Sequence, residues 1–173
     1  SIEGKNDPNI LEKTYKEVLK NIDEADNNNL MPFCVFKITG IASFNLLKKI
    51  NKNESLSQQE NTEMELLKSR LKNICEKAQN CKTPILVDAE ESWIQDAIDK
   101  LVEELMYLYN KKDVIIYNTI QLYRSDKLNY IKKLHLLSKR KKFKLGLKLV
   151  RGAYMEKERA RSKRKQYTCI IHK

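Results

Sequence analysis

A chain of 173 residues is long enough for one domain with a genuine core, and for no more than one. Hydrophobic residues make up 41% of it, which excludes a disordered polymer. The 34 lysines and arginines outnumber 23 acidic residues, for a net charge of +11, which admits nucleic acid, an acidic membrane surface or anionic ligands and does not choose among them.

Asp7-Pro8 reads as the cap and first residue of a helix whose stripe is Leu11, Tyr15, Val18, Leu19 and Ile22 and whose end is Asn27-Asn28-Asn29. Pro32-Phe33-Cys34-Val35-Phe36 is apolar without alternation, as in a strand buried on both faces, and ends in Lys37. A short helix follows over Ile41 to Ile50, then a polar connection from Asn51 to Asn61. From Glu60, the residues Met64, Leu67, Leu71, Ile74, Cys75 and Ala78 keep helical spacing. Pro84-Ile85-Leu86-Val87 is a second strand, ending in Asp88. Ser92 caps a helix with Trp93, Ala97, Ile98, Leu101, Leu105 and Leu108 on its apolar side, stopped at Asn110. Val114-Ile115-Ile116-Tyr117 is a third strand, ending in Asn118. Leu128, Ile131, Leu134 and Leu136 or Leu137 mark another helix, with Lys139 to Lys142 at its basic end. Phe143 to Val150 is a fourth strand, ending in Arg151, and a Gly152-Ala153 turn leads into a polar helical run.

Strand and helix thus alternate, which implies parallel strands and right-handed crossovers. Neither a G-x-G-x-x-G nor a G-x-x-x-x-G-K-[ST] segment is present, so a barrel is favoured over a nucleotide-binding open sheet. The expected architecture is α/β, a partial (βα)8 TIM-like barrel of parallel strands with about five βα units. In such a barrel Lys37, Asp88, Asn118 and Arg151 share the C-terminal rim, where active sites are built. One lysine, one carboxylate, one amide and a cationic cluster suit a small anionic substrate and a phosphate-bearing cofactor. Gly152 lets the backbone approach such a ligand, and the helix start beyond it favours negative charge. Glu90 and Glu91 are read as serving the N-terminus of the following helix, Trp93 as packing, and His135 as structural or solvated.

Cys34, Cys75, Cys81 and Cys169 form no Cys-x-x-Cys pair, and His135 and His172 are the only histidines, so no metal site is expected and free thiols are. No apolar run approaches the ~20 residues of a membrane span. Ser1 to Lys5 does not read as a signal peptide.

Lys148-Leu149-Val150-Arg151-Gly152-Ala153-Tyr154-Met155-Glu156-Lys157-Glu158-Arg159 resembles the signature of the FAD-dependent proline dehydrogenases. Phe36-Lys37-Ile38-Thr39-Gly40-Ile41-Ala42, Ile85 to Trp93, and Tyr117-Asn118-Thr119-Ile120-Gln121-Leu122-Tyr123 resemble other strands of that family, in their proper order. The resemblance runs from about residue 33 to 161 and is stronger to the bacterial single-function enzymes than to the bifunctional ones. It implies oxidation of L-proline to 1-pyrroline-5-carboxylate by hydride transfer to FAD, with electrons passed to a quinone, in proline catabolism to glutamate. It implies that Lys37 pairs with the proline carboxylate and that Tyr154 packs against the substrate. Asp88 and Lys148 become the catalytic pair of side chains, with Lys148 near flavin N5. Ala89, Asn118, Lys148, Arg151, Gly152 and Ala153 become the cofactor-binding set. A cytoplasmic protein, peripheral at the inner membrane surface where the quinone lies, follows from the same resemblance.

Two departures stand out. Some members carry arginine in place of Lys148 and lysine in place of Arg151; a planar fork and a point charge differ in geometry. Beyond Arg161 the family continues with further strand–helix units, whereas residues 162–173 form a basic tail unlike it. Residues 1–173 are therefore expected to be a single, incomplete barrel domain, truncated at its C-terminus, and whether a second chain completes it stays open. The alternatives are an inactive remnant of the enzyme and a basic anion-binding protein using Arg159 to Lys165. Against the latter, the run has only Tyr167 nearby for stacking, and no nucleic-acid partner is expected.

Overall fold

The computed structural model describes residues 6–26, 28 and 30–166. Helix α1 (Pro8–Ala25) opens as expected, with Asp7 accepting a 2.9 Å bond from the Asn9 amide. Its Leu11, Val18, Ile22 and Ala25 are buried. Strand β1 (Cys34–Phe36) leads into a 3-10 turn (Ile38–Gly40) and helix α2 (Phe44–Asn51), capped by Ser43. Helix α3 (Gln58–Asn80) starts earlier than its apolar spacing suggests. Ser57 and Glu60 form a reciprocal capping box that pulls two polar residues into the first turn. Then come β2 (Ile85–Val87), α4 (Ser92–Tyr109), β3 (Ile116–Gln121), α5 (Lys127–Lys141), β4 (Leu147–Val150) and α6 (Met155–Lys165).

The four strands lie in the order β1-β2-β3-β4 and every pairing is parallel. A doubly wound sheet reverses its order at a switch point; a sheet in strict sequence order does not, and is a segment of a barrel wall. The described residues supply four strands, each followed by helix, because α1 precedes any strand and α2 and α3 share one crossover. Cys34, Phe36, Ile85, Val87, Ile116 and Ile120 form the outer, helix-covered face and are at most 6% exposed. Val35, Leu86 and Tyr117 are paired neighbours one residue along and occupy the opposite, inner face.

Several boundaries differ from the sequence reading. Ser92 is the first helical residue of α4, not its cap; Glu91 holds that position and makes no side-chain capping bond. Strand β4 begins at Leu147, and Phe143 joins the core from a loop. Leu108, Leu128 and Leu136 are exposed; in α4 the expected Ala97, Ile98, Leu101 and Leu105 are buried, and the buried side also takes in Ile94, Val102 and Met106. Strand β3 does not stop at Asn118 but continues to Gln121, because Thr119, Ile120 and Gln121 pair with Lys148, Leu149 and Val150. Of the basic tail, α6 reaches Lys165; Cys169 and His172 lie outside the described residues, as do Asn27 and Asn29 at the end of α1.

Candidate active site

Sheet register decides which polar side chains meet. Phe36, Val87, Asn118 and Leu147 form one row across the four strands. The next row is Lys37, Asp88, Thr119 and Lys148, of which Thr119 and Lys148 are direct partners. Because successive side chains alternate, this second row projects to the inner face. Lys148 Nζ reaches Asp88 Oδ1 at 2.7 Å, with the side chains 39% and 27% exposed. Lys37 Nζ donates to Tyr154 Oη at 3.3 Å and stands 5.5 Å from the centre of that ring. Burial opposes the charge on Lys37, but the Tyr154 hydroxyl and the Asp88 and Glu90 carboxylates outweigh it and hold its pKa above the ordinary lysine value.

Residues 151–154 run from the end of β4 to the Lys37 side of the rim. There the Tyr154 amide donates to Tyr123 Oη at 3.2 Å. Burial pushes the Tyr123 phenol up to about 12, so it stays protonated at neutral pH. Helix α6 then packs against the start of α4: Lys157 Nζ meets Glu91 Oε1 at 3.1 Å, and the Arg161 guanidinium stacks 4.5 Å from the Trp93 ring. Glu156 and Glu158 occupy the first turn of α6, so its own acids already face the positive helix end. Gly152 has no positive φ, and a Cβ there would meet nothing within 4 Å. Its neighbours Arg151 and Ala153 are exposed beside it, which leaves open space on that side of the rim.

Asn118 is not part of this rim. It belongs to the Phe36 row, one residue out of phase, and points to the helix layer, where it is fully buried and donates to Asp99 Oδ1 at 2.9 Å. The amide that does stand on the inner face of β3 is Gln121, 1% exposed. Its Nε2 donates to the Glu90 carbonyl at 2.5 Å, and its Oε1 has no partner. Thr119, 2% exposed, also leaves its hydroxyl without a partner. Both follow from the two-residue repeat once β3 is extended, and neither is visible while the strand is ended at its first polar residue.

Glu90 does not serve the helix end expected of it; it is a buried acid. Its carboxylate accepts from the Thr39 amide at 3.0 Å and from the Thr39 hydroxyl. Burial raises its pKa above the ordinary carboxylate range, against the pull of those bonds. Ala89, between Glu90 and Asp88, is 4% exposed. The structure therefore brings Lys37, Asp88, Lys148 and Tyr154 together, leaves Ala89 beneath them and Arg151, Gly152 and Ala153 at the margin, and takes Asn118 away. Among the described residues no three His, Cys, Asp or Glu side chains form a metal cluster, and no helix is long and apolar enough to cross a membrane.

An isoalloxazine-type ring needs polar atoms for its edge and a cation for its developing charge. Two orphaned buried oxygens on the inner face of β3, on Thr119 and Gln121, and the Lys148 ammonium on the strand partner of Thr119 fit that requirement. The sequence profile of the family described as proline dehydrogenase matches residues 1–173. The carbapenem antibiotics biosynthesis protein CarD of Pectobacterium carotovorum is 27% identical over 92% of this chain and 42% of its own length. The mitochondrial proline dehydrogenase 1 of Dictyostelium discoideum is 35% identical over 91% of this chain and 28% of its own. In fold, the chain is similar to proline utilization A of Bdellovibrio bacteriovorus, with a TM-score of 0.73 at 14% identity, covering 95% of this chain and 18% of that one. Proline utilization A of Corynebacterium freiburgense gives 0.72 at 19% identity, over 95% and 16%. The chain thus spans less than half the length of each of these proteins.

Proposed function

Because this chain belongs to the proline dehydrogenase family, we propose that its rim takes part in the oxidation of L-proline to 1-pyrroline-5-carboxylate with FAD as cofactor. The observation that carries this reading is the row of Lys37, Asp88, Thr119 and Lys148 on one face of the sheet, with Lys148 and Asp88 at 2.7 Å. The reaction removes a hydride from the substrate ring and a proton from its nitrogen. Bound FAD would accept the hydride. The chain's own residues supply the rest. Lys37 offers a cation for the substrate carboxylate, and Tyr154, held through its amide by Tyr123, presents a ring beside it. Asp88 supplies the carboxylate that anchors the polar network around the substrate nitrogen. Lys148 holds Asp88 in place and brings positive charge to the cofactor side of the row. Gln121 and Thr119 offer unsatisfied oxygens to the ring edge, in the role first expected of Asn118. Ala89 lets a flat ring approach the strand end closely, and Arg151, Gly152 and Ala153 border it.

The order β1-β2-β3-β4 leaves one flank of β1 and one of β4 without a strand partner among the described residues. We infer that further strands cover those flanks in the working enzyme, from the same polypeptide or from a second copy. The electron acceptor is a quinone at a membrane surface, which the protein meets peripherally. The test is an absorption spectrum of the purified protein with added FAD, followed by addition of L-proline. Flavin absorbance that bleaches with proline in the parent and not in Asp88→Ala supports the reading. Bleaching that is indifferent to Asp88 overturns the assignment of the site.

A further inference from the structure

Behind the sheet lies a second polar cluster, which the reaction does not use. Lys127 at the start of α5 is 2% exposed, and its Nζ meets Asp99 Oδ2 of α4 at 2.6 Å. The other oxygen of Asp99 accepts from Asn118 Nδ2 at 2.9 Å and from Gln95 Nε2 at 2.8 Å. Gln95 is fully buried, and its Oε1 accepts from the Glu90 backbone amide at 2.6 Å. Glu90 is thus gripped at three points. Gln95 takes its N–H from the helix side, Gln121 donates to its carbonyl from the inner face, and Thr39 holds its carboxylate. Glu90 lies two residues beyond Asp88, whose own amide donates to the Phe36 carbonyl at 2.9 Å.

A buried ion pair is a poor route to stability, because desolvation of both charges offsets their attraction. Its value here is directional. A carboxylate that only accepts dictates which end of the Gln95 amide faces it, so the other end must present its oxygen to Glu90. We propose that Gln95 is a positioning residue for the rim: oriented from behind by Asp99 and Lys127, it fixes the Glu90 backbone and, through it, the Asp88 carboxylate that meets Lys148. The consequence for proline and flavin rests on the reading above; the positioning itself does not.

The test is NMR on the chain of 173 residues, reading the Asp88 carboxyl carbon and hydrogen exchange at the Glu90 amide. Two double variants remove the ion pair alike and differ in one atom's function. Lys127→Met/Asp99→Asn keeps an acceptor for Gln95, and Lys127→Met/Asp99→Leu does not. The expected result is a parent-like Asp88 signal in the first. In the second, and in Gln95→Leu, that signal shifts and Glu90 exchanges about tenfold faster, as loss of one buried hydrogen bond requires. Protection at Val102 and Ile120 should persist in all three. An unchanged Asp88 signal in Gln95→Leu overturns the proposal, as does a loss of protection spread evenly through α4 and β3 in both double variants. Flavin titration of the same samples separates the two readings: a parent protein that takes up no FAD counts against the proposed function and leaves the NMR comparison decisive for Gln95.

Discussion

Glu90 is an acid with 1% of its surface exposed, accepting bonds from Thr39 and lying near Lys37. Its folded pKa is raised by burial. The protonated form is therefore favoured by folding. The associated stability is fully present below the ordinary carboxylate value of about 4.3 and is lost as pH rises through the raised folded value. Glu90→Gln keeps the shape and removes the proton equilibrium. Urea midpoints measured at pH 4.5 and 8 should fall less with rising pH in Glu90→Gln than in the parent; parallel values would show that Glu90 is not the titrating group. Gly146 gives a second test at this scale. A Cβ there would lie 2.3 Å from the Ile116 carbonyl oxygen and 2.9 Å from the Tyr117 ring. The first contact is backbone and cannot move aside, so Gly146→Ala should cost about 2–3 kcal/mol in chemical denaturation. A variant as stable as the parent would mean that β3 and β4 are less closely paired at this point.

Helices α4 and α5 are joined through Lys127 and Asp99, both nearly out of solvent. Lys127→Met leaves the Asp99 charge buried, with Gln95 and Asn118 as neutral donors and the buried Arg124 guanidinium within electrostatic reach, and should lower stability by about 3 kcal/mol; a loss under 1 kcal/mol would show that Arg124 or water replaces the ammonium. At the other end of the chain Ser57→Ala should cost about 1 kcal/mol by opening the α3 capping box, visible as a matching drop in the denaturation midpoint. How far such elements can be read from residues alone depends on what sets them. The four apolar runs, their parallel order and the rim positions of Lys37 and Asp88 were legible, because alternation of strand and helix leaves few topologies; Lys148 was pointed to by the family resemblance alone. The end of β3 was not. Polar residues inside a strand look like its end until the partner strand is known, and one residue of phase separates Gln121 and Thr119 from Asn118. The buried role of Lys127 was hidden for a related reason: a lysine beginning a basic helix looks solvated, and only the packing of α5 on α4 shows the acid waiting for it.

The described residues form a parallel wall with the candidate site on one rim and strands β1 and β4 at its flanks. That arrangement separates family membership from competence. Hydride transfer needs the substrate ring and the cofactor at near-attack distance, and a misplacement of about 1 Å costs about a hundredfold in rate. Lys37 contributes a point charge, which fixes position but not angle. Asp88 and Lys148 fix each other, and Tyr154 borrows its place from Tyr123. Lys37, Asp88 and Lys148 stand on the wall itself, and of the four only Tyr154 reaches across from beyond β4. A substrate resting on this surface would be held on one side only and would remain open to water on the other. We therefore expect residues 1–173 assayed by themselves with FAD, L-proline and an electron-accepting dye to turn over at least a hundredfold more slowly than a protein in which further strands face the rim. Covering the flanks with the part of the Dictyostelium protein that this chain does not match should restore the rate, and Asp88→Ala in that chimaera should abolish it. Rapid, Asp88-dependent turnover by the 173 residues alone would contradict this expectation and would direct attention to their oligomeric state, since a second copy would then have to supply the opposite side of the site.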